Sequence, residues 1–300
     1  MFSVEVYKLL FNNNLIHKLY INFDSKKIIK MSIKNKFYYH PSIDVIASQI
    51  GISKWNWIDI KEDNESKAKI IMKENRFDVL PISESDNSIF YYFSTREWNN
   101  YKSLNKLSIK KAPKVYYQMS LKDLIRKFKK EESHYYFLTD ENEILGLVSY
   151  VNLNCQLVYN YLFQVISDIE RSVSDLLKKS IKQEELINYF KNSENNHLNK
   201  IVLNFENAIK TNSDNDIFQH LYLQDIGILL NKFENRIPYN KKRILKFKKK
   251  FSPENTYTLL RNKIMHPVRP ILSSPEIINK MDELLVDYEI IKDTIDNTNE

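Results

Sequence analysis

Residues 67–83, KAKIIMKENRFDVLPIS, and residues 121–140, LKDLIRKFKKEESHYYFLTD, carry one pattern twice. Each opens with apolar side chains at helical spacing and passes into an apolar run of strand length, which predicts a short helix followed by a strand. Sliding the chain by about 55 positions aligns the two, with Met72 opposite Phe128 and Asp78 opposite His134. A second strand follows in each copy, SIFYYFST at 88–95 and EILGLVSY at 143–150. These strands end in Ser94-Thr95-Arg96-Glu97 and Ser149-Tyr150-Val151-Asn152, a hydroxyl three residues ahead of a polar acceptor where a helix is expected to begin. Helix, strand, strand and hydroxyl-led ending recur in the same order, so residues 44–153 are expected to form a tandem of two α/β units.

That tandem resembles the cystathionine beta-synthase (CBS) domain, a small module that pairs and often binds adenosine nucleotides in the clefts between copies. The resemblance rests on VLPIS at 79–83, the Asp140-Glu141-Asn142 turn, ILGLVS at 144–149 and the two Ser-x-x-Glu/Asn endings. It implies that Ser94 and Ser149 meet a phosphate, and that Glu97 and Asn152 take ribose hydroxyls of ATP, ADP, AMP or a signalling adenylate. The chemistry suits those roles, because side-chain oxygens accept from vicinal hydroxyls and a helix N-terminus favours phosphate. Two departures stand out. Asn152 replaces the family's usual acid, and Tyr91 stands where the second copy has Gly146, so one of the two clefts is expected to be narrowed or empty. The architectural alternative is that Ser94 and Ser149 only cap the helices that follow.

Outside the repeats, composition excludes more than it assigns. A chain of 300 residues suggests two domains, and 43% hydrophobic residues exclude wholesale disorder. No run of about 18 apolar residues is present to cross a bilayer. Only Gly51, Gly146 and Gly227 occur, so a dinucleotide fingerprint, a Walker phosphate loop and a glycine-flanked serine elbow cannot be written. The single Cys155 forbids an internal disulfide, which fits a reducing, cytoplasmic setting. The first residues lack the basic start and cleavage site of a secretory signal, and residues 1–43 form an extension in which LYINF and KIIKMSIK could add edge strands.

After Asn154 the pattern changes class. Val158, Leu162, Val165, Ile169, Val173 and Leu176 recur at three and four and predict one side of a long helix. Further helices are expected at about 182–191, 196–210, 215–233 and 239–250, and two more at Ser252-Pro253-Glu254 and Ser274-Pro275-Glu276. In those two openings serine accepts from first-turn amides, proline fits the first helical position and glutamate favours the positive end. The fold class expected is therefore an α/β tandem followed by an all-α bundle over residues 154–300.

Within that bundle, Arg261-Asn262-Lys263-Ile264-Met265-His266 is closed by Pro267. Proline disfavours helical backbone before it, so His266 is expected at the last turn, where carbonyl ends favour a protonated imidazole. Asn262 lies one turn earlier on the same face, while Ile264 and Met265 are expected on the buried side. A permanent cation beside a titratable base suits attack on a phosphodiester. This Arg-Asn-x-x-x-His string resembles the HEPN (higher eukaryote and prokaryote nucleotide-binding) superfamily, many of whose members are metal-independent endoribonucleases. The resemblance implies catalytic roles for Arg261, Asn262 and His266, support from Glu170 and Arg171 on the first helix, and a cleft completed by a second copy in a homodimer. The ordinary alternative puts Arg261 in a surface ion pair and His266 in a helix cap.

The formal charge of +7 is concentrated. Lys241, Lys242, Arg243, Lys246, Lys248, Lys249 and Lys250 crowd one run without an acid, and the run is expected either to contact RNA phosphates or to be a solvated helix face above Ile244, Phe247 and Phe251. The remaining histidines lack ligand spacing, so no metal is expected. Paired tyrosines are expected in strands, and the adjacent acids Glu184-Glu185 and Asp282-Glu283 in solvent. Together the two resemblances imply a nucleotide-regulated, metal-independent endoribonuclease, and likeness to other sensor-plus-HEPN proteins implies a setting in stress response or phage defence. The alternative is a ligand-responsive regulator that binds RNA or protein without cutting.

Overall fold

The computed structural model describes residues 45–296, apart from 86, 87, 142, 212, 214, 253 and 267–269. The extension at 1–43, with its two edge-strand candidates, lies outside the described residues. From Val45 onward the chain forms one compact unit.

The tandem is there, and its two copies match residue for residue. In the first, helix α2 (Glu65–Asn75) leads to strands β2 (Val79–Ser83) and β3 (Ile89–Thr95); in the second, α3 (Leu121–Glu131) leads to β6 (Tyr135–Asp140) and β7 (Glu143–Ser149). Both helices end on a left-handed residue, Arg76 at φ 57° and Glu132 at φ 52°. Val79 pairs with Ser94 as Tyr135 pairs with Ser149, and each hairpin carries a register shift near its turn. A parallel partner lies on the outer side of each hairpin, Ile60 beside Ile82 and β5 (Lys114–Tyr116) beside β6.

The third strands are exchanged. β1 (Ile52–Ser53), which precedes the first copy, pairs with β7 of the second, whereas β4 (Leu104–Ser108), which precedes the second, pairs with β3 of the first. Equivalent positions meet equivalent partners: Tyr91 faces Ser108, and Gly146 faces Ser53. Gly146 is needed there, since a Cβ would stand 2.4 Å from the Ile52 carbonyl oxygen. Tyr91 takes the place of Gly146 in the first copy without meeting the facing strand as a Cβ at Gly146 would. It is exposed, and its ring centroid lies 4.7 Å from Lys106 Nζ.

A short helix, α1 (Ala47–Ile50), precedes β1, and the helical half follows β7 through 3₁₀ turns over Tyr150–Asn154. It comprises α4 (Gln156–Ser180), α5 (Gln183–Lys191), α6 (Asn196–Lys210), α7 (Leu223–Lys232), α8 (Thr256–Ile264) and α9 (Glu276–Asp296). The apolar stripe predicted for the long helix is buried in α4, from Val158 to Leu176. Several local expectations need correction. No helix starts after Thr95, where the chain turns and proceeds to β4. The helix expected at 215–233 is split into 3₁₀ turns at Ile217–His220 and α7, because the Tyr222 amide donates to the Asp225 carboxylate and opens α7 there (2.8 Å). The opening at Ser252 does not start a helix; Asn255 precedes α8, and Ser252 instead closes the preceding segment by donating to Lys249 O (3.0 Å).

The basic run forms 3₁₀ turns over Tyr239–Phe251 and not the expected α-helix. With three residues per turn, positions 241, 244, 247 and 250 share one face. Ile244 and Phe247 are buried as anticipated, but Lys241 is buried with them and Lys250 is half-buried on the same face. Lys241 Nζ donates to Ile295 O (3.1 Å), and Lys250 pairs with Glu283 (2.7 Å) and Asp287. Asp282-Glu283 is accordingly not a solvated pair. Asp282 is buried beside Lys129 (2.7 Å) and Arg126 of α3, and Glu283 accepts from Thr256 (2.6 Å). These contacts clamp the second repeat to α9, and its apolar core is continuous with that of the helices, from Val45 through Phe128 and Leu162 to Ile291.

Candidate functional sites

The first cleft lies between the repeats. It encloses about 190 Å³ and is lined by Trp57, Arg76 and Asp78 from the first copy and Ser149, Val151 and Asn152 from the second. Ser149 and Asn152 are thus on the cleft wall, where the resemblance put them. They are also bonded to each other: the Ser149 amide donates to Asn152 Oδ1 (2.7 Å) and its hydroxyl to the same oxygen (3.2 Å). This reciprocal cap satisfies the start of the turns leading into α4. Ser94 and Glu97 are not brought together in that way. Ser94 is buried in β3, while Glu97 is exposed and accepts from Asn100 (3.0 Å).

Beside the cleft runs a buried polar chain that sequence reasoning missed. Thr95 Oγ1 donates to Asp78 Oδ1 (3.1 Å), and His134 Nε2 lies 3.1 Å from the same hydroxyl. With its proton given to Asp78, Thr95 accepts from His134, which fixes the Nε2–H tautomer. Burial holds the His134 imidazole down at about 4 and pushes the Asp78 carboxyl up, the latter opposed by bonds from the Asn99 amide and Thr95. Asp78 Oδ2 has no hydrogen-bond partner among the described residues. The signal was present in the alignment of Asp78 with His134: these equivalent positions of the two copies meet through Thr95.

The second cleft lies in the helical half, with a volume of about 370 Å³. Glu170 and Arg171 on α4, Tyr222 ahead of α7 and Arg261 on α8 line it together. The Arg261 guanidinium sits 6.0 Å from the Tyr222 ring centroid. Burial pushes the Glu170 carboxyl up, while the positive field of Arg261 and a bond from the Leu223 amide pull it back. Arg171 donates to Asp168 (2.6 Å), which also accepts from Tyr288 (3.2 Å). Asn262 and His266 are exposed and are not among the residues lining this cleft. The His266 amide closes the last turn of α8 on Lys263 O (3.3 Å), the helix-end position anticipated for it. Ile264 is buried as expected, but Met265 is 51% exposed, because α8 has ended before it.

Of the basic run, Lys242, Arg243, Lys246 and Lys249 are exposed, and Lys248 pairs with Glu234 (2.8 Å). Among the described residues no His, Cys, Asp and Glu group is arranged to hold a metal ion, and no helix is long and apolar enough to cross a membrane.

No protein-family model matches the chain, and no curated protein matches it. Solved structures similar to part of it include an uncharacterized conserved protein from Pyrococcus horikoshii, at 11% identity and TM-score 0.30, with 37% of this chain and 91% of that one covered. Another is a protein of proposed acetoin-utilization function (AcuB) from Vibrio cholerae, at 10% identity and TM-score 0.32, with 41% of this chain and 96% of that one covered.

Proposed function

We propose that this chain is a CBS-like nucleotide sensor joined to a HEPN-like endoribonuclease domain. The observation that carries the reading is the convergence of Arg261 on α8 with Glu170 and Arg171 on α4 around one cleft, although about 90 positions separate them in sequence. The motif resemblance implied that meeting, and neither helix by itself requires it.

In the reaction proposed, the RNA 2′-hydroxyl loses its proton and attacks the adjacent phosphorus. The bond to the 5′-oxygen breaks as that oxygen takes up a proton, leaving a 2′,3′-cyclic phosphate and a 5′-hydroxyl. Arg261 offsets the charge that develops on the phosphorane oxygens. His266 transfers the protons, Asn262 orients it, and a second copy completes the cleft around the exposed end of α8. Labelled single-stranded RNA incubated in EDTA is the test. Cleavage to cyclic-phosphate ends, reduced about 100-fold or more in both Arg261→Ala and His266→Ala, is the expected result. Equal cleavage by wild type and both variants would overturn it.

An adenosine nucleotide in the inter-repeat cleft would compete for the groups that Ser149 and Asn152 give to each other. Those residues begin the turns that lead into α4, and Glu170 lies about 21 Å along α4 from Gln156 by helical rise. A ligand that prefers one setting of this junction would bias the Arg261 cleft. Isothermal titration with ATP, ADP and AMP tests the sensor, and absence of heat with all three removes it. A second reading, RNA binding without cleavage, is favoured by the exposure of Asn262 and His266 outside the Arg261 cleft. RNA retained but uncut by the wild type would establish it.

A further inference from the structure

A third cleft, of about 640 Å³, opens where α6, α7 and the basic segment meet. His197 and Asn195 line it from the start of α6, Gln224 and Asn231 from α7, and Lys248 and Lys249 from the basic segment. Its construction has three parts. Gly227 lets the basic segment settle on α7, since a Cβ there would meet Phe251 Cβ at 2.9 Å and Lys248 O at 3.2 Å. Asp225, fully buried, accepts from the Tyr222 amide with one oxygen and stands 2.9 Å from His197 Nε2 with the other. The Gln224 amide nitrogen lies 2.8 Å from the same Nε2, so the half-exposed imidazole is held in one orientation between a carboxylate and an amide. Exposed Lys249 adds a charge on the same cleft, and the amide side chains add neutral donors and acceptors.

Burying a carboxylate below a half-exposed histidine costs desolvation that apolar packing would avoid. Cations beside amides suit a phosphate carried on a nucleotide, and the volume falls in the range of small-ligand sites. We propose that this cleft is a phosphate-binding site for an RNA strand, with exposed Lys249 as its cation and the Asp225-held His197, Gln224 and Asn231 as its polar wall. The inference rests on the RNA-acting reading and extends it. The cleft and the Arg261 cleft flank the first turn of α7, with Tyr222 on one and Gln224 on the other, so a strand held here runs beside Arg261.

Fluorescence anisotropy of the full chain with a short labelled 2′-O-methyl RNA separates grip from cleavage, since that strand lacks the attacking hydroxyl. Lys249→Glu is expected to weaken binding about tenfold and to reduce the salt slope by about 0.7. His197→Gln should weaken it at least about threefold, while Arg243→Glu, on the same segment but not lining the cleft, changes it less than about twofold. Equal loss in Lys249→Glu and Arg243→Glu overturns the site in favour of diffuse attraction, as does unchanged binding in both. Calorimetric binding of AMP that is lost in Lys249→Glu, with RNA affinity unchanged, overturns the strand in favour of a free nucleotide. Arg261-dependent cleavage that persists with these affinities unchanged would sink this site and leave the nuclease reading intact.

Discussion

His134 shows how much one side chain contributes when its neighbours are fixed. Its ring is buried against Tyr135 and Tyr150, and the polar groups facing it are Thr95 and, through Thr95, Asp78. A folded-state pKa near 4, against 6.5 for the free ring, means that the unfolded chain binds the proton first as pH falls. Stability from this group is full above about pH 6.5 and declines toward pH 4, by on the order of 3 kcal/mol in total. Asp78 works in the opposite sense, because burial raises its carboxyl pKa and its share of stability declines as pH rises. Urea titrations between pH 7 and 4.5 should show the wild type losing stability more steeply than His134→Gln. Parallel curves would remove His134 as the cause. Arg261 and Glu170 illustrate the reverse case, in which each residue type was legible and their meeting was anticipated only through a motif. Asn262 and His266 remain at the helix end, as the following proline suggested, but local spacing could not say which cleft they face.

At the scale of elements, the exchange of β1 and β4 interlocks the two repeats, and at Gly146 the exchanged strand approaches too closely for a Cβ. Gly146→Ala should cost about 2 kcal/mol, since backbone and not a flexible side-chain end opposes the new methyl. A fall in urea midpoint at unchanged slope would verify it. The left-handed caps give a gain by the same reasoning. Arg76→Gly and Glu132→Gly remove a Cβ from positive φ, and each should stabilise by up to about 1 kcal/mol in thermal melts. The basic segment divides by its period of three. Lys250→Glu leaves Glu283 and Asp287 unpaired and should cost about 2 kcal/mol or more, whereas Lys246→Glu, exposed on the outer side, should stay within about 0.5 kcal/mol. Equal urea midpoints for the two variants would contradict that division. The run's charge and apolar stripe were readable, but its winding was not. A helix of period 3.6 and turns of period 3.0 both bury Ile244 and Phe247, and only packing against α7 and α9 selected the second.

For the whole molecule, the second repeat and the helices share one apolar core, while the first repeat holds a smaller core around Met72 and Phe93 and meets the second through Tyr92, Tyr135 and Phe137. A shared core favours cooperative loss. Trp55, Trp57 and Trp98 all lie in the repeats, so their fluorescence and the helical circular dichroism should change at one temperature. Two separated transitions would show that the halves unfold independently. The order of elements was legible because periodicity is local: a helix needs its apolar residues within one turn, a strand within two positions, and a repeat displays both twice. The long helix α4 and the tandem itself follow from that alone. What pairs across distance was not legible. The strand exchange, the burial of Asp282, the Asp78–Thr95–His134 chain and the seating of His197 on Asp225 join residues far apart in sequence, and each depends on desolvation and close approach that exist only once the chain has closed on itself.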